Sequence, residues 1–145
     1  MNERLKSYLE KFKKLRIDRT HGIAPHKPIL LLSILQMFQN GTYNSNKIDI
    51  KPELVAFFNT NWSLLVTTNH DCRISYPFYY LKSSDFWKLV PKDRTLNIDK
   101  LESSVKSFNK LNAAVEYALI PNELLYLMSN KISNEILQQC LLDVY

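Results

Sequence analysis

Apolar residues recur every three or four positions near the start of the chain, which is the spacing of one helix face. They predict an amphipathic basic helix over residues 3–16, with Asn2 as its N-cap. The next segment, "PILLLSILQMF", is apolar nearly all round, so the helix predicted over residues 28–40 is buried. Pro28 suits its first position, where no backbone N–H is needed, and Gly41 suits its end.

The middle of the chain mixes helix and strand patterns. Pro52 opens a third predicted helix that runs to about Trp62. Short strands are predicted in "KIDIK" before this helix and in "DFWKLVP" after it. Residues 99–110 and the segment "AAVEYALI" fit either a helix or a strand.

Helices are predicted again over residues 121–144. The first begins at Pro121 and runs through Met128, and Ser133 is the expected cap of the second. The whole pattern predicts an α+β fold in which residues 1–145 form a mostly helical single domain with a few short strands.

The net positive charge of the chain comes from its N-terminal end. The net charge is +5, and residues 1–27 hold eight basic against three acidic residues, whereas the remaining residues hold eleven of each sign. A localised basic segment is typical of proteins that bind a polyanion such as DNA. The alternative interpretation is a solvated helix face.

Several classes are excluded or disfavoured by composition. No apolar run approaches the roughly 20 residues of a membrane helix, and the first residues are too charged for a signal peptide, so we expect a cytoplasmic protein that does not enter membranes. The cysteines, Cys72 and Cys140, lack metal or redox spacing. We predict no cofactor.

An aromatic segment, "NHDCRISYPFYYL", forms the predicted YP loop over residues 69–82. Phe78 and Leu81 are expected inside, and Tyr76 and Pro77 outside, where they offer a flat, poorly hydrated surface. Three polar side chains of the segment are the predicted contacts to phosphates or base edges: Arg73, His70 and Asn69.

A second candidate site is "APHKP" at the start of the buried helix. A helix N-terminus presents unpaired backbone N–H groups and a partial positive charge, so anions bind there readily. His26 and Lys27 add side-chain donors at the same place. The alternative is that the two prolines only start the helix.

Catalytic and metal-binding interpretations have weaker support. Asp49 and Lys51 form the D-x-K arrangement of many metal-dependent nucleases, with Asp18 upstream, but so short a match arises often by chance. A zinc site is a further alternative without the usual ligand spacing, and it would use His21, His26, His70 and Cys72. We predict no catalytic residues and a binding domain, not an enzyme.

Four segments in a fixed order resemble the N-terminal DNA sulfur-binding domain of McrA-type HNH restriction endonucleases. The resemblance extends from about Leu15 onward, and its order is much more specific than any one segment. The segments are "APHKPILLLSIL", "YPFYYL", "DFWKL" and "IPNELLYLMSNKISNEILQQCLLDVY".

The resemblance implies binding of double-stranded DNA that carries a phosphorothioate, predicted to be the Rp isomer, as part of a modification-dependent restriction system. It implies that the sulfur enters a hydrophobic cavity lined by Tyr76 and Pro77, with His26 and Lys27 beside the same phosphate and Tyr80 at a further cavity position. Arg19 and His21 are additional candidates for DNA contacts. An HNH nuclease domain is expected only in a longer protein, and the flanking bases and the oligomeric state stay open.

Overall fold

The computed structural model describes residues 2–20 and 22–145, and helices make up most of these ranges. The mostly helical α+β fold is confirmed. The α-helices are α1 (Glu3–Lys13), α2 (His26–Gln39), α3 (Pro52–Leu65), α4 (Ser75–Tyr80), α5 (Phe108–Ala114), α6 (Asn122–Ser129) and α7 (Lys131–Val144). Two 3₁₀ helices cover Leu81–Ser83 and Ile98–Ser104, and the strands are β1 (Lys47–Ile48), β2 (Lys88–Pro91) and β3 (Val115–Leu119).

Helix α2 forms the centre of the domain. Eleven of its fourteen residues are buried, and it packs against α3, α4, α6 and α7. Its buried polar groups have partners: the Asn61 side-chain amide donates to Ser33 Oγ at 3.0 Å, and the Asn134 amide donates to the Leu35 carbonyl at 2.9 Å. Because buried polar groups are costly unless paired, these bonds fix how α3 and α7 sit on α2.

The three strands form a small antiparallel sheet with the order β1-β3-β2. Ala118 of β3 lies opposite Ile48 of β1 and Leu89 of β2, and all three side chains are buried. The register shifts between Val90 and Pro91, at the end of an edge strand, where a missing proline N–H is tolerated. The sheet packs on the helical core through its inward-facing residues.

The predicted YP loop is wrong as a description of residues 69–82, because its second half is helix α4 followed by a 3₁₀ turn. Proline disfavours the helical conformation of the residue that precedes it, here Tyr76, so a YP pair is unusual within a helix. Tertiary packing decides otherwise: Phe78 and Leu81 are fully buried, as predicted, and the Trp87 indole donates to the Phe78 carbonyl at 2.8 Å.

Helix ends also differ from the predictions. Helix α1 ends at Lys13, three residues early, and α2 begins at His26, so that Pro28 occupies its third position, still within the first turn. Asn2 caps α1 as predicted. Ser133 does not cap α7: Asn130 does, by accepting from the Ile132 and Ser133 N–H groups, while the Ser133 hydroxyl donates to the buried Leu127 carbonyl.

Each of the two segments that fitted either a helix or a strand contains parts of two different elements. Residues 99–110 contain the end of a 3₁₀ helix and the start of α5, and "AAVEYALI" changes from the end of α5 to strand β3. Within the described ranges, no helix combines the length and the apolar character that a membrane crossing requires.

Candidate functional site

A concave pocket forms where α2 begins and where α4 passes into its 3₁₀ turn. We call it the tyrosine pocket, and its volume is about 640 Å³. It brings together all five residues predicted for the sulfur cavity, which come from two segments about fifty positions apart in the chain. The lining residues are Arg16, Ile17, Asp18, Ala24, His26, Lys27, Tyr76, Pro77, Tyr80, Lys82 and Ser83.

Lys27 supplies a buried cation to this pocket. Only 8% of the residue is exposed, and its ammonium donates to the Arg16 carbonyl at 2.5 Å and to Ser83 Oγ at 3.1 Å. An ammonium has three N–H donors, so one donor remains after these two bonds. Burial, together with the positive charge of Arg16, lowers the pKa of Lys27 to about 8. The group is therefore charged at neutral pH and would gain from a nearby anion.

His26 forms the adjoining wall of the pocket. Its Nε2 lies 2.7 Å from the Asp71 carbonyl oxygen, which can only accept, so Nε2 is the protonated nitrogen. Burial lowers the pKa of His26 below its ordinary value. The ring packs against Trp62 at 4.8 Å between centroids and lies edge-on to Tyr76 at 5.9 Å. His26 thus offers a rigid aromatic surface next to the Lys27 ammonium.

The tyrosines of α4 form the apolar side of the pocket. Tyr76 and Tyr80 are one helical turn apart, so both rings lie on one face, 6.2 Å apart between centroids. Tyr76 is half-buried, and Tyr80 is exposed, its hydroxyl 3.4 Å from a Glu102 carboxylate oxygen. The expectation that Pro77 lies outside is wrong: Pro77 is buried and contributes to the pocket wall from within the first turn of α4.

None of the predicted outer contacts that fall within the described residues lines this pocket. The Arg73 guanidinium lies over the Tyr76 ring, 5.7 Å from its centroid, and 3.9 Å from the Asp71 carboxylate, in a separate groove. His70 Nδ1 is 2.7 Å from Thr68 Oγ1, and His70 Nε2 is buried without a partner among the described residues. The His70 ring also lies edge-on to the His26 ring, 5.8 Å apart between centroids, so His70 supports the pocket from behind His26.

The structure places none of the other three predicted DNA contacts in the pocket. Asn69 and Arg19 are exposed and lie outside the tyrosine pocket. His21 lies outside the described residues.

Several lining residues were missed from the sequence. The Arg16 carbonyl and the Ser83 hydroxyl hold the Lys27 ammonium, and Lys82 adds a further charge at the rim, although it pairs with Asp99 at 3.1 Å. The polar run "KSSD" directly after the YP segment was the available signal for Lys82 and Ser83. A pattern of side chains in the sequence does not indicate which backbone carbonyl accepts a hydrogen bond. The contact of the Arg16 carbonyl with Lys27 therefore could not be predicted.

The residues of the nuclease alternative lie elsewhere. Asp49 and Lys51 line a cleft of about 360 Å³ beside the sheet, which we call the sheet cleft, and pair with each other at 3.4 Å. Asp18 lines the tyrosine pocket, and the two sites share no residue. Across residues 2–20 and 22–145, no three histidine, cysteine, aspartate or glutamate residues are grouped so that they could hold a metal ion.

Comparison with known proteins adds no family to this description. No protein-family model matches the chain, and no curated protein matches it.

Proposed function

We propose that the protein binds double-stranded DNA carrying an Rp phosphorothioate, with the backbone sulfur in the tyrosine pocket. The supporting observation is that one pocket combines an apolar wall of Tyr76 and Pro77 with the buried ammonium of Lys27. A phosphorothioate has both matching properties, because it is an anion with one soft, weakly hydrated atom. In this proposal the domain acts by binding, as a module or partner of a modification-dependent restriction system.

The preference for sulfur would come from desolvation. Sulfur is larger and more polarisable than oxygen and a poorer hydrogen-bond acceptor, so it loses little when it exchanges water for ring carbons. A phosphate oxygen against the same wall would lose its water without replacement bonds, at a cost of about 1 to 3 kcal/mol. That cost corresponds to roughly fivefold to 150-fold discrimination between the two atoms.

The remaining lining suits the rest of the nucleotide. The pocket, at about 640 Å³, is much larger than one atom, so the sulfur would occupy only the part between Tyr76, Pro77 and His26. The other non-bridging oxygen would then face the free donor of Lys27. Because exchanging the two atoms would turn oxygen toward the rings and sulfur toward the ammonium, the site should select one stereoisomer.

The test is the affinity of the protein for three duplexes of one sequence at one salt concentration: Rp phosphorothioate, Sp phosphorothioate and unmodified. A fixed salt concentration is essential because phosphate contacts make DNA affinity strongly salt-dependent. We expect the Rp duplex to bind about tenfold or more tightly than the unmodified one. Equal affinities would leave a general DNA-binding domain without sulfur recognition, and binding to none of the duplexes would contradict both functions.

A further inference from the structure

A second groove continues the tyrosine pocket along helix α1. This α1 groove has a volume of about 530 Å³ and shares Arg16 and Ser83 with the tyrosine pocket. It then extends past Ser84 to Lys11 and Lys14. Because Arg16 and Ser83 line both depressions, the two adjoin on the surface.

The lysine side chains along the α1 groove differ in how far nearby carboxylates balance their positive charge. Lys11 donates to both carboxylate oxygens of Asp85, at 2.9 and 2.8 Å, so its charge is balanced locally. Lys14 is largely exposed and lies 3.7 Å from Glu10, which also faces Lys13 at 3.8 Å, so one carboxylate serves two ammonium groups.

Arg16, between the two grooves, has no ion pair with any residue in the described ranges. Its backbone carbonyl is occupied by Lys27, which orients the segment, while its guanidinium stays available to a ligand. Arginine suits this position because its planar group can bond two phosphate oxygens at once.

We infer that the α1 groove holds an unmodified phosphate of the same DNA strand, next to the one in the tyrosine pocket, and that Arg16 and Lys14 bind it. This inference rests on the proposed function. A DNA strand carries one negative charge per nucleotide, so a strand entering the tyrosine pocket must place its neighbouring phosphates on the adjoining surface. The α1 groove is the adjoining surface that has uncompensated positive charge.

The experiment measures the affinity of Lys14→Gln and Arg16→Gln for Rp and unmodified duplexes over a salt series. Each change should weaken binding of both duplexes by about threefold to tenfold and reduce the slope of log affinity against log salt by about one. For Lys14→Gln the ratio between the two duplexes should stay as in the wild type, because Lys14 lines only the α1 groove, whereas Arg16 also lines the tyrosine pocket, where its carbonyl accepts from Lys27. Lys131→Gln is the matched control, since Lys131 is an exposed lysine on α7 that lines neither groove.

The possible failures can be told apart. If Lys14→Gln and Arg16→Gln both keep the wild-type affinity and salt slope while the Rp preference persists, the α1 groove is not a phosphate site and only this inference is overturned. If the wild type shows no Rp preference but both variants still weaken binding, the phosphate site stands and sulfur recognition is overturned. Lys14 serves as the safer of the two positions because its side chain is 78% exposed and holds no other part of the fold.

Discussion

The tyrosine pocket and the sheet cleft contain similar residue types but differ in how their charges are used. Each is lined by tyrosine, lysine and aspartate. In the sheet cleft, Lys51 pairs with Asp49, and the Tyr43 hydroxyl donates to the Asp49 carbonyl. In the tyrosine pocket, the Lys27 ammonium is held by two neutral oxygens and has no carboxylate partner among the described residues.

This difference in charge pairing indicates which of the two sites is suited to bind an anion. Lys51 is partly exposed to water and its charge is already balanced by Asp49, so a phosphate adds less to it than to a buried ammonium without a carboxylate partner. A buried ammonium without a counter-charge is costly, and an anionic ligand relieves that cost. The two sites have similar residue compositions. The pairing of their charges, however, favours the tyrosine pocket as the site that binds an anion.

The largest expected effect comes from removing the buried cation. Lys27→Met keeps the side-chain length but removes the charge, and we expect it to weaken binding of the Rp duplex by about tenfold to a hundredfold, the value of a charge-assisted hydrogen bond. Lys51→Met is the matched change in the sheet cleft and should alter affinity by less than about twofold. Equal effects of the two variants in a titration of labelled duplex would contradict the distinction between the sites.

The pH dependence of binding tests the same cation without removing it. Because the pKa of Lys27 is lowered to about 8, the ammonium is mostly charged at pH 7 and mostly neutral at pH 9. DNA affinity should therefore fall by up to about tenfold between these pH values. Lys27→Arg keeps its charge throughout, so its affinity should stay nearly constant, and a fall as steep as that of the wild type would assign the titration to another group.

The stability of the free protein should respond in the opposite direction. The pKa of Lys27 is lower in the folded chain than its ordinary value of 10.5, so between about pH 8 and pH 10.5 the unfolded chain binds the proton that the folded chain has released. The contribution of Lys27 to the free energy of unfolding consequently rises over that interval. Denaturant titrations of the wild type and Lys27→Met should diverge there.

A smaller effect is expected from the carboxylate in the pocket. Asp18 Oδ1 accepts from the Thr20 N–H and hydroxyl groups, and the side-chain oxygen of Asp18→Asn can accept the same bonds while the charge is lost. We expect both duplexes to bind about twofold to threefold more tightly, because repulsion between the carboxylate and DNA is removed. Asp49→Asn in the sheet cleft should leave affinity unchanged, and an increase of the same size there would show a general effect of net charge.

Sequence reasoning worked where one segment carried its own signal. The apolar spacing predicted α1, α2 and α3, and the HK and YP pairs each marked a candidate surface. The choice of five residues for one cavity came from the resemblance to the DNA sulfur-binding domain and not from a local pattern, and the fold places those five residues around one pocket. It failed where packing decides. Pro77 is buried beside Phe78, which lies in the core and whose carbonyl accepts a hydrogen bond from the Trp87 indole, nine residues later in the chain.

The charge arrangement of the pocket was also beyond sequence reasoning. The state of Lys27 depends on a carbonyl of Arg16 and a hydroxyl of Ser83, from two other parts of the chain. The separation of Asp18 from Asp49 likewise follows from the topology and not from any local pattern. Burial and pairing of charges are properties of the assembled fold, and they distinguish the two sites.

The most direct test of sulfur recognition changes one atom of the DNA and one side chain of the protein together. Affinities for the Rp and unmodified duplexes are measured for the wild type, Tyr76→Ala and Tyr117→Ala, the last removing a half-buried tyrosine of the sheet cleft. We predict a preference of about tenfold to a hundredfold for the Rp duplex in the wild type and in Tyr117→Ala, and nearly none in Tyr76→Ala. A wild type that binds both duplexes equally, or a Tyr76→Ala variant that keeps the full preference, would contradict it.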